Sequence, residues 1–425
     1  MPKGQLALVL HAHLPYVRSE KPGSLEEDWF FQALMECYLP LLQTFEDAAS
    51  SKGQSPKATM ALSPTLLSLF QDEDLKKRFP EWLKVRINFL NNVPANQKDA
   101  AAHLRGKIQN QLSQWISCDG DLISRFAALQ SSGVLDLLTC AATHGYLPLL
   151  RDNPEAVNGQ LQTAVREHYR LFGIYPLGIW LPECAYYEGL DKLMVKAGLR
   201  FAVLDGHGVL HGHPRPKYGI YAPICSKNGV AFFGRDSEAT LPVWSARDGY
   251  PGDPQYREFH RDLGWDLSHE QLLNIGLTEP RPLGLKLHKV TDQKTTLEEK
   301  KIYEPKLAVE RIKIHAKDYL KGRRIQLEKI EREMDPPPLL VAPFDAELFG
   351  HWWFEGPSFL SELFLQASEE KVIFTRLRDV LSKTPSLQIC NPCPSSWGKG
   401  GYHDYWLNET NAWIIPEWSK AAKAM

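Results

Sequence analysis

The stretch PPPLLVAPFDAELFGHWWFEGP, residues 336–357, contains a strongly apolar run that ends on an acid, Asp345, and passes into a Trp-rich loop. Comparable short apolar or β-branched runs occur at 5–10, 58–62, 134–140, 174–180, 201–205 and 230–234, beside this one at 338–344. Most are separated by segments long enough for a helix, the spacing that parallel strands require. The pattern predicts an α/β fold of seven such strands, an incomplete (β/α)7 barrel.

The unusual polar residues fall at the ends of these runs. His11 and His13 follow the first, His144 the third, Glu183 the fourth and Asp345 the last. In a β/α barrel all five converge on the C-terminal face, where barrel enzymes carry their chemistry. Helices are predicted at 28–49, opening at Asp28 and kinked at Pro40, and at 97–115, 159–171, 187–197 and 357–380. Residues 1–205 read as the first part of the barrel. An insertion and loop region follows over 206–280, with a barrel strand at 230–234. The rest of the barrel spans 281–384 and includes a charged helical excursion at 303–334, interruptible at Gly322. Residues 385–425 read as a short or truncated start of a C-terminal helical region that helps form a cleft.

Composition narrows the function classes. With 49 basic and 51 acidic residues the formal charge is -2 at pH 7, so nothing global favours a nucleic-acid or membrane partner. No stretch has the length of a membrane span, and His11, His13 and Pro15 break the N-terminal apolar run before signal-peptide length. Seven scattered cysteines cannot all pair within one chain and read as cytoplasmic thiols. The Cys390/Cys393 pair has too few soft partners for structural zinc. Twelve Trp, several in Gly- and Pro-rich loops, favour sugar-stacking surfaces as well as core packing. Sequence alone leaves the oligomeric state open.

The segment GIWLPECAYYEGLDKLM, 178–194, brings an apolar run into Glu183 just before a helix-like stretch, whereas Glu188 and Asp191 sit where ordinary helix-start acids lie. At the other strand end Asp345 and Glu347 are two apart. They share a face in an extended segment but not in a turn, so periodicity does not choose between them. Glu355 reads equally as a sugar-orienting acid or an ion-pair residue. Two carboxyl groups on separate strand ends are the minimum for glycosidic chemistry, held about 5–5.5 Å apart in a retaining enzyme. A competing reading makes His11, His13, His144 and Asp345 ligands of a divalent metal that activates water. No dinucleotide or phosphate-loop glycine pattern and no GxSxG elbow is present.

HAHLPY at 11–16, LLTCAATHGYLPLL at 137–150, GIWLPECAY at 178–186 and APFDAELFGHWWFEGP at 342–357 together resemble glycoside hydrolase family 57. The resemblance is closest to its 1,4-α-glucan branching enzymes. HGHPRPKYGIYAP (211–223), FGRDSEA (233–239) and VWSARDGYPGDPQYREF (243–259) extend it through the insertion. It implies a seven-stranded barrel that needs no cofactor, with Glu183 as nucleophile and Asp345 as general acid/base. It makes His11, His13 and His144 substrate-site residues rather than metal ligands. Trp29, Trp352 and Trp413 are implied to line the glucan cleft, and Tyr250 to sit at the tip of a loop over the active site. The implied partners are α-glucan donor and acceptor chains, with an acceptor 6-hydroxyl giving an α-1,6 branch. α-Amylase and 4-α-glucanotransferase reactions use the same carboxylates, and a degenerate barrel would only bind glucan. Beyond 408 the chain departs from the resemblance, with Glu417 and Ser419 at positions where histidines are expected.

Overall fold

All seven predicted runs form strands in the computed structural model, which describes residues 4–19, 22–51 and 56–424, the side chain of Lys423 excepted. They are β1 (Gln5–Ala12), β2 (Ala58–Leu62), β3 (Leu135–Cys140), β4 (Gly178–Trp180), β5 (Phe201–Leu204), β7 (Ala231–Gly234) and β8 (Leu339–Asp345). Three two-residue strands join them: β6 (Ile224–Cys225), β9 (Ile373–Phe374) and β10 (Gln388–Ile389). The sheet order is β10-β6-β7-β5-β4-β3-β2-β1-β8, with β9 beside β1. Every pairing is parallel except β6 with β7. Between β7 and β8 no ladder forms among the described residues. Only isolated bonds reach across the gap, from the Asp236 N–H to the Val341 carbonyl and from the Leu339 N–H to the Tyr221 carbonyl, both 2.9 Å, so among the described residues the barrel is curled but incomplete.

The strands read as unbroken apolar runs because both faces are covered. Leu6, Leu8 and Leu10 of β1 pack outward into the large core shared with the helices, while Ala7 and Val9 join Ala61, Leu138, Trp180, Phe233 and Val341 in the interior. Register then sets the site. His11 of β1 lies opposite Asp345 of β8, so both emerge at the same C-terminal rim.

Local structure departs from the sequence reading in four places. The helix expected to open at Asp28 starts at Leu25, capped by Ser24, whose hydroxyl accepts the Glu27 N–H at 3.2 Å. The expected kink at Pro40 is instead a π turn, Leu34–Tyr38, between helices Leu25–Ala33 and Leu39–Ser50. Pro40 has no N–H for the Glu36 carbonyl, and the ladder shifts to an i+5 bond from Leu39 N–H to the Leu34 carbonyl. The predicted 357–380 helix is two helices, Gly356–Gln366 and Leu377–Lys383, parted by β9, which pairs with β1. Residues Pro305–Glu331 form one helix with no break at Gly322. No helix among the described residues is long and apolar enough to cross a membrane.

Candidate active site at the C-terminal rim

Glu183 sits in the tight turn Pro182–Cys184 directly after β4, with φ 61° and ψ 25°. Cys184 (φ 49°) and His144 (φ 56°) are also left-handed. Such conformations in non-glycine residues cost about 1–3 kcal/mol each and persist only where surrounding contacts hold them. Here the contacts come from the far end of the chain. The Trp397 N–H donates to the Glu183 carbonyl (3.0 Å), and Tyr186 and Ser395 exchange backbone bonds at 2.9 and 3.2 Å. The Trp397 indole Nε1–H donates to Glu183 Oε2 at 2.9 Å, and His144 Nε2 lies 3.4 Å from Oε1.

Burial pushes the Glu183 carboxyl up, but the hydrogen bonds from His144 and Trp397 reverse it and hold its pKa below the usual value. Asp345 moves the opposite way. Burial first, then the carboxylates of Glu347 and Glu183, raise it well above its ordinary value, with Arg235 opposing. One carboxylate kept ionised beside one carboxyl kept protonated is the division of labour that glycosidic bond cleavage requires.

Asp345 and Glu347, between which periodicity does not choose, differ in their partners. Asp345 is the last residue of β8, whereas Glu347 lies in the turn Ala346–Leu348. There Glu347 Oε1 accepts the Tyr38 hydroxyl at 2.5 Å and the His13 N–H at 3.1 Å. Burial lifts Glu347 to about 7 despite these bonds. It therefore serves as a fixed neighbour of Asp345, tied to the π turn through Tyr38. Cys37, in the same turn, contacts the Ala346 carbonyl through its Sγ at 3.1 Å.

His11, His13 and His144 form a near-parallel stack on Trp180. Centroids are 4.8 Å apart for His11–Trp180, 5.0 Å for His11–His144 and 3.9 Å for His13–His144, with interplanar angles of 9°, 16° and 16°. Burial and the neighbouring imidazoles lower His11 well below 6.5 and His13 to about 3, so both are neutral near pH 7. Ligand atoms of His11, Cys140 and His144 lie within 4.8 Å of one another. Stacked rings hold their in-plane lone pairs in separate parallel planes, however, and cannot aim them at one ion. Burial also raises the Cys140 thiol. The parallel stacking of these rings works against a shared ion.

The remaining expected site residues are scattered. Trp29, Trp352 and Trp413 are exposed, Trp352 stacking on Phe259 at 4.9 Å. The Tyr250 hydroxyl donates to Asp318 at 2.8 Å and its ring stacks on His315, both on the long helix Pro305–Glu331. These contacts hold the ring and hydroxyl of Tyr250 against that helix. Glu355 is buried, accepting the Arg257 N–H at 3.0 Å.

Sequence reasoning missed Trp397, Arg235 and the cover formed by Tyr146, His403 and Trp406. Arg235 faces the Trp397 and Trp244 rings at 5.7 and 6.0 Å, and Tyr146 bonds His403 (2.6 Å) and stacks on Trp406 (4.5 Å). The available signal was a Gly- and aromatic-rich tail at 397–406.

The model of glycosyl hydrolase family 57 matches residues 7–389. The chain belongs to this family. Among family 57 proteins, it is 32% identical to a 1,4-α-glucan branching enzyme of Thermococcus kodakarensis over the whole of this chain and 64% of the relative's length. It thus spans less than two thirds of that relative. In structure it is similar to the α-amylase AmyC of Thermotoga maritima, with 34% identity, TM-score 0.91, and coverage of 99% of this chain and 80% of that one. It is also similar to a family 57 branching enzyme of Pyrococcus horikoshii, with 32% identity, TM-score 0.87, and coverage of 97% and 77%.

Proposed function

We propose that this protein is a retaining α-glucan-active enzyme whose reaction is branching. The opposed shifts of Glu183 and Asp345 at one strand rim carry this reading. The ionised Glu183 attacks the anomeric carbon of an α-1,4-linked donor while Asp345 gives its proton to the leaving glycosidic oxygen, releasing the shorter chain and leaving a glycosyl ester on Glu183. Asp345, now a carboxylate, takes the proton of an acceptor 6-hydroxyl. That oxygen attacks the ester, forming the α-1,6 bond and freeing Glu183. The partly buried His13 and His144 rings stand beside Glu183 as flat surfaces for a donor sugar, and no cofactor takes part. Donor and acceptor are starch- or glycogen-like chains, and the buried free thiols suit a cytoplasmic setting. The branching activity named for the Thermococcus and Pyrococcus relatives supports this choice.

The similarity to an α-amylase supports a second reading, in which water takes the glycosyl group. Linkage analysis by NMR after incubation with amylose separates the two. New α-1,6 signals with few new reducing ends, absent in Glu183→Ala, establish branching. Reducing ends without α-1,6 signals overturn it in favour of hydrolysis.

A further inference from the structure

Beside the π turn Leu34–Tyr38 a cavity of about 240 Å³ opens between helix Leu39–Ser50, helix Lys98–Ser117 and the start of helix Gly356–Gln366, lined among others by Thr44, Lys107, Gln111, Arg257, Phe354 and Ser358. Its wall carries two cations, Lys107 and Arg257, and two acids, Glu36 and Asp47. The Lys107 ammonium lies 4.3 Å from the centroid of the Phe354 ring, and the Arg257 guanidinium lies 3.8 Å from the same centroid. Among the described residues Lys107 makes no hydrogen bond or ion pair. Burial, together with the Arg257 charge, lowers its pKa to about 8 against the opposing pull of Glu355.

The nearby acids have partners already, Glu36 with Arg257 itself among them. Glu36 is shared by Arg257 (2.9 Å), His351 (2.7 Å) and Lys286 (3.8 Å). Burial raises Glu355 towards its neutral form. Asp47, at the rim, accepts Gln43 at 2.5 Å. Two buried polar atoms on the lining remain unpartnered: Nη1 of Arg257, which is 6% exposed, and Oε1 of Gln111, which is 8% exposed. Two neighbouring cations without a full set of acceptors are costly to bury, and an anion seated between them would remove that cost.

We propose that this cavity is a binding site for an oxyanion group, phosphate or carboxylate, borne by a small polar molecule. Lys107 and Arg257 take the charge, and Thr44, Gln111 and Ser358 meet neighbouring hydroxyls. The cavity is separate from the glucan cleft, but its wall includes Glu36, in the π turn whose Tyr38 holds Glu347.

Isothermal titration calorimetry of the whole protein at pH 7, with inorganic phosphate, acetate and maltose as separate probes, tests it. The expected result is one-site millimolar or tighter binding of phosphate or acetate. It should weaken at least about tenfold in Lys107→Met, which keeps the aliphatic stem, and persist in Lys107→Arg. Which anion binds identifies the group. Thermal melts should rise with the same anion in wild type and Lys107→Arg alone, by the linkage of binding to stability. Binding of neither anion, or equal binding by wild type and Lys107→Met, overturns the proposal.

Discussion

The indole Nε1–H of Trp397 donates to Oε2 of Glu183 across 2.9 Å, joining two residues 214 positions apart in sequence. A hydrogen bond to a charged group is worth about 1.5–3 kcal/mol. Trp397→Phe keeps the ring and removes the donor, so the Glu183 pKa should rise by about one unit. The acid limb of the kcat/KM profile should move upward with it. At optimal pH kcat should fall about tenfold or more. An unchanged acid limb would show that the indole only fills space.

In the proposed mechanism Asp345 gives a proton, and its raised pKa then places the alkaline limb of activity far above the ordinary carboxyl range. Glu347 adds negative charge to that effect. In Glu347→Gln the charge is gone, so the Asp345 pKa should fall and the alkaline limb should move to lower pH, with the acid limb left to Glu183. A pH–rate series on both proteins checks the sign.

Leaving-group chemistry separates the two carboxylates. Asp345→Asn should cut turnover of amylose by about 100-fold or more, the usual contribution of general acid catalysis. It should spare the first step on α-maltosyl fluoride, whose leaving group needs no proton. Glu183→Gln should abolish both. Equal losses on the two substrates in Asp345→Asn would remove it from the acid role.

The histidine stack predicts an acid-labile fold. His13 falls from 6.5 to about 3 on folding and His11 is also lowered well below 6.5, so below pH 6.5 the unfolded chain binds more protons than the native one. Stability is then full above pH 6.5 and is lost as pH falls below it, by on the order of 1 kcal/mol per pH unit per histidine. Denaturant melts from pH 7 to 5 should show the slope, reduced in His13→Asn.

Gly350 has φ 113°, and a Cβ built there would lie 1.7 Å from the Glu36 carbonyl oxygen. Gly350→Ala should therefore destabilise by on the order of 4 kcal/mol, at the extreme of single substitutions. It should also disturb the contact between the π turn and the Ala346–Leu348 turn. Melting temperature and activity measured together would show both.

The sequence by itself determined the seven strands and the acids at their ends, because a parallel strand covered on both faces must be apolar throughout and must change character where it leaves the sheet. β1, β8 and the rim positions of His11, Glu183 and Asp345 were legible for that reason. Only the tertiary structure decided which acid is held ionised, since that depends on Trp397 and His144 being brought to Glu183 from 214 and 39 residues away. It likewise separated Asp345 from Glu347 through Tyr38, 309 residues from the latter, and turned Tyr250 onto Asp318. Local periodicity records burial. It carries no record of which distant donors the curled sheet sets against a carboxylate, and hydrogen bonds over such spans set the charge of the site.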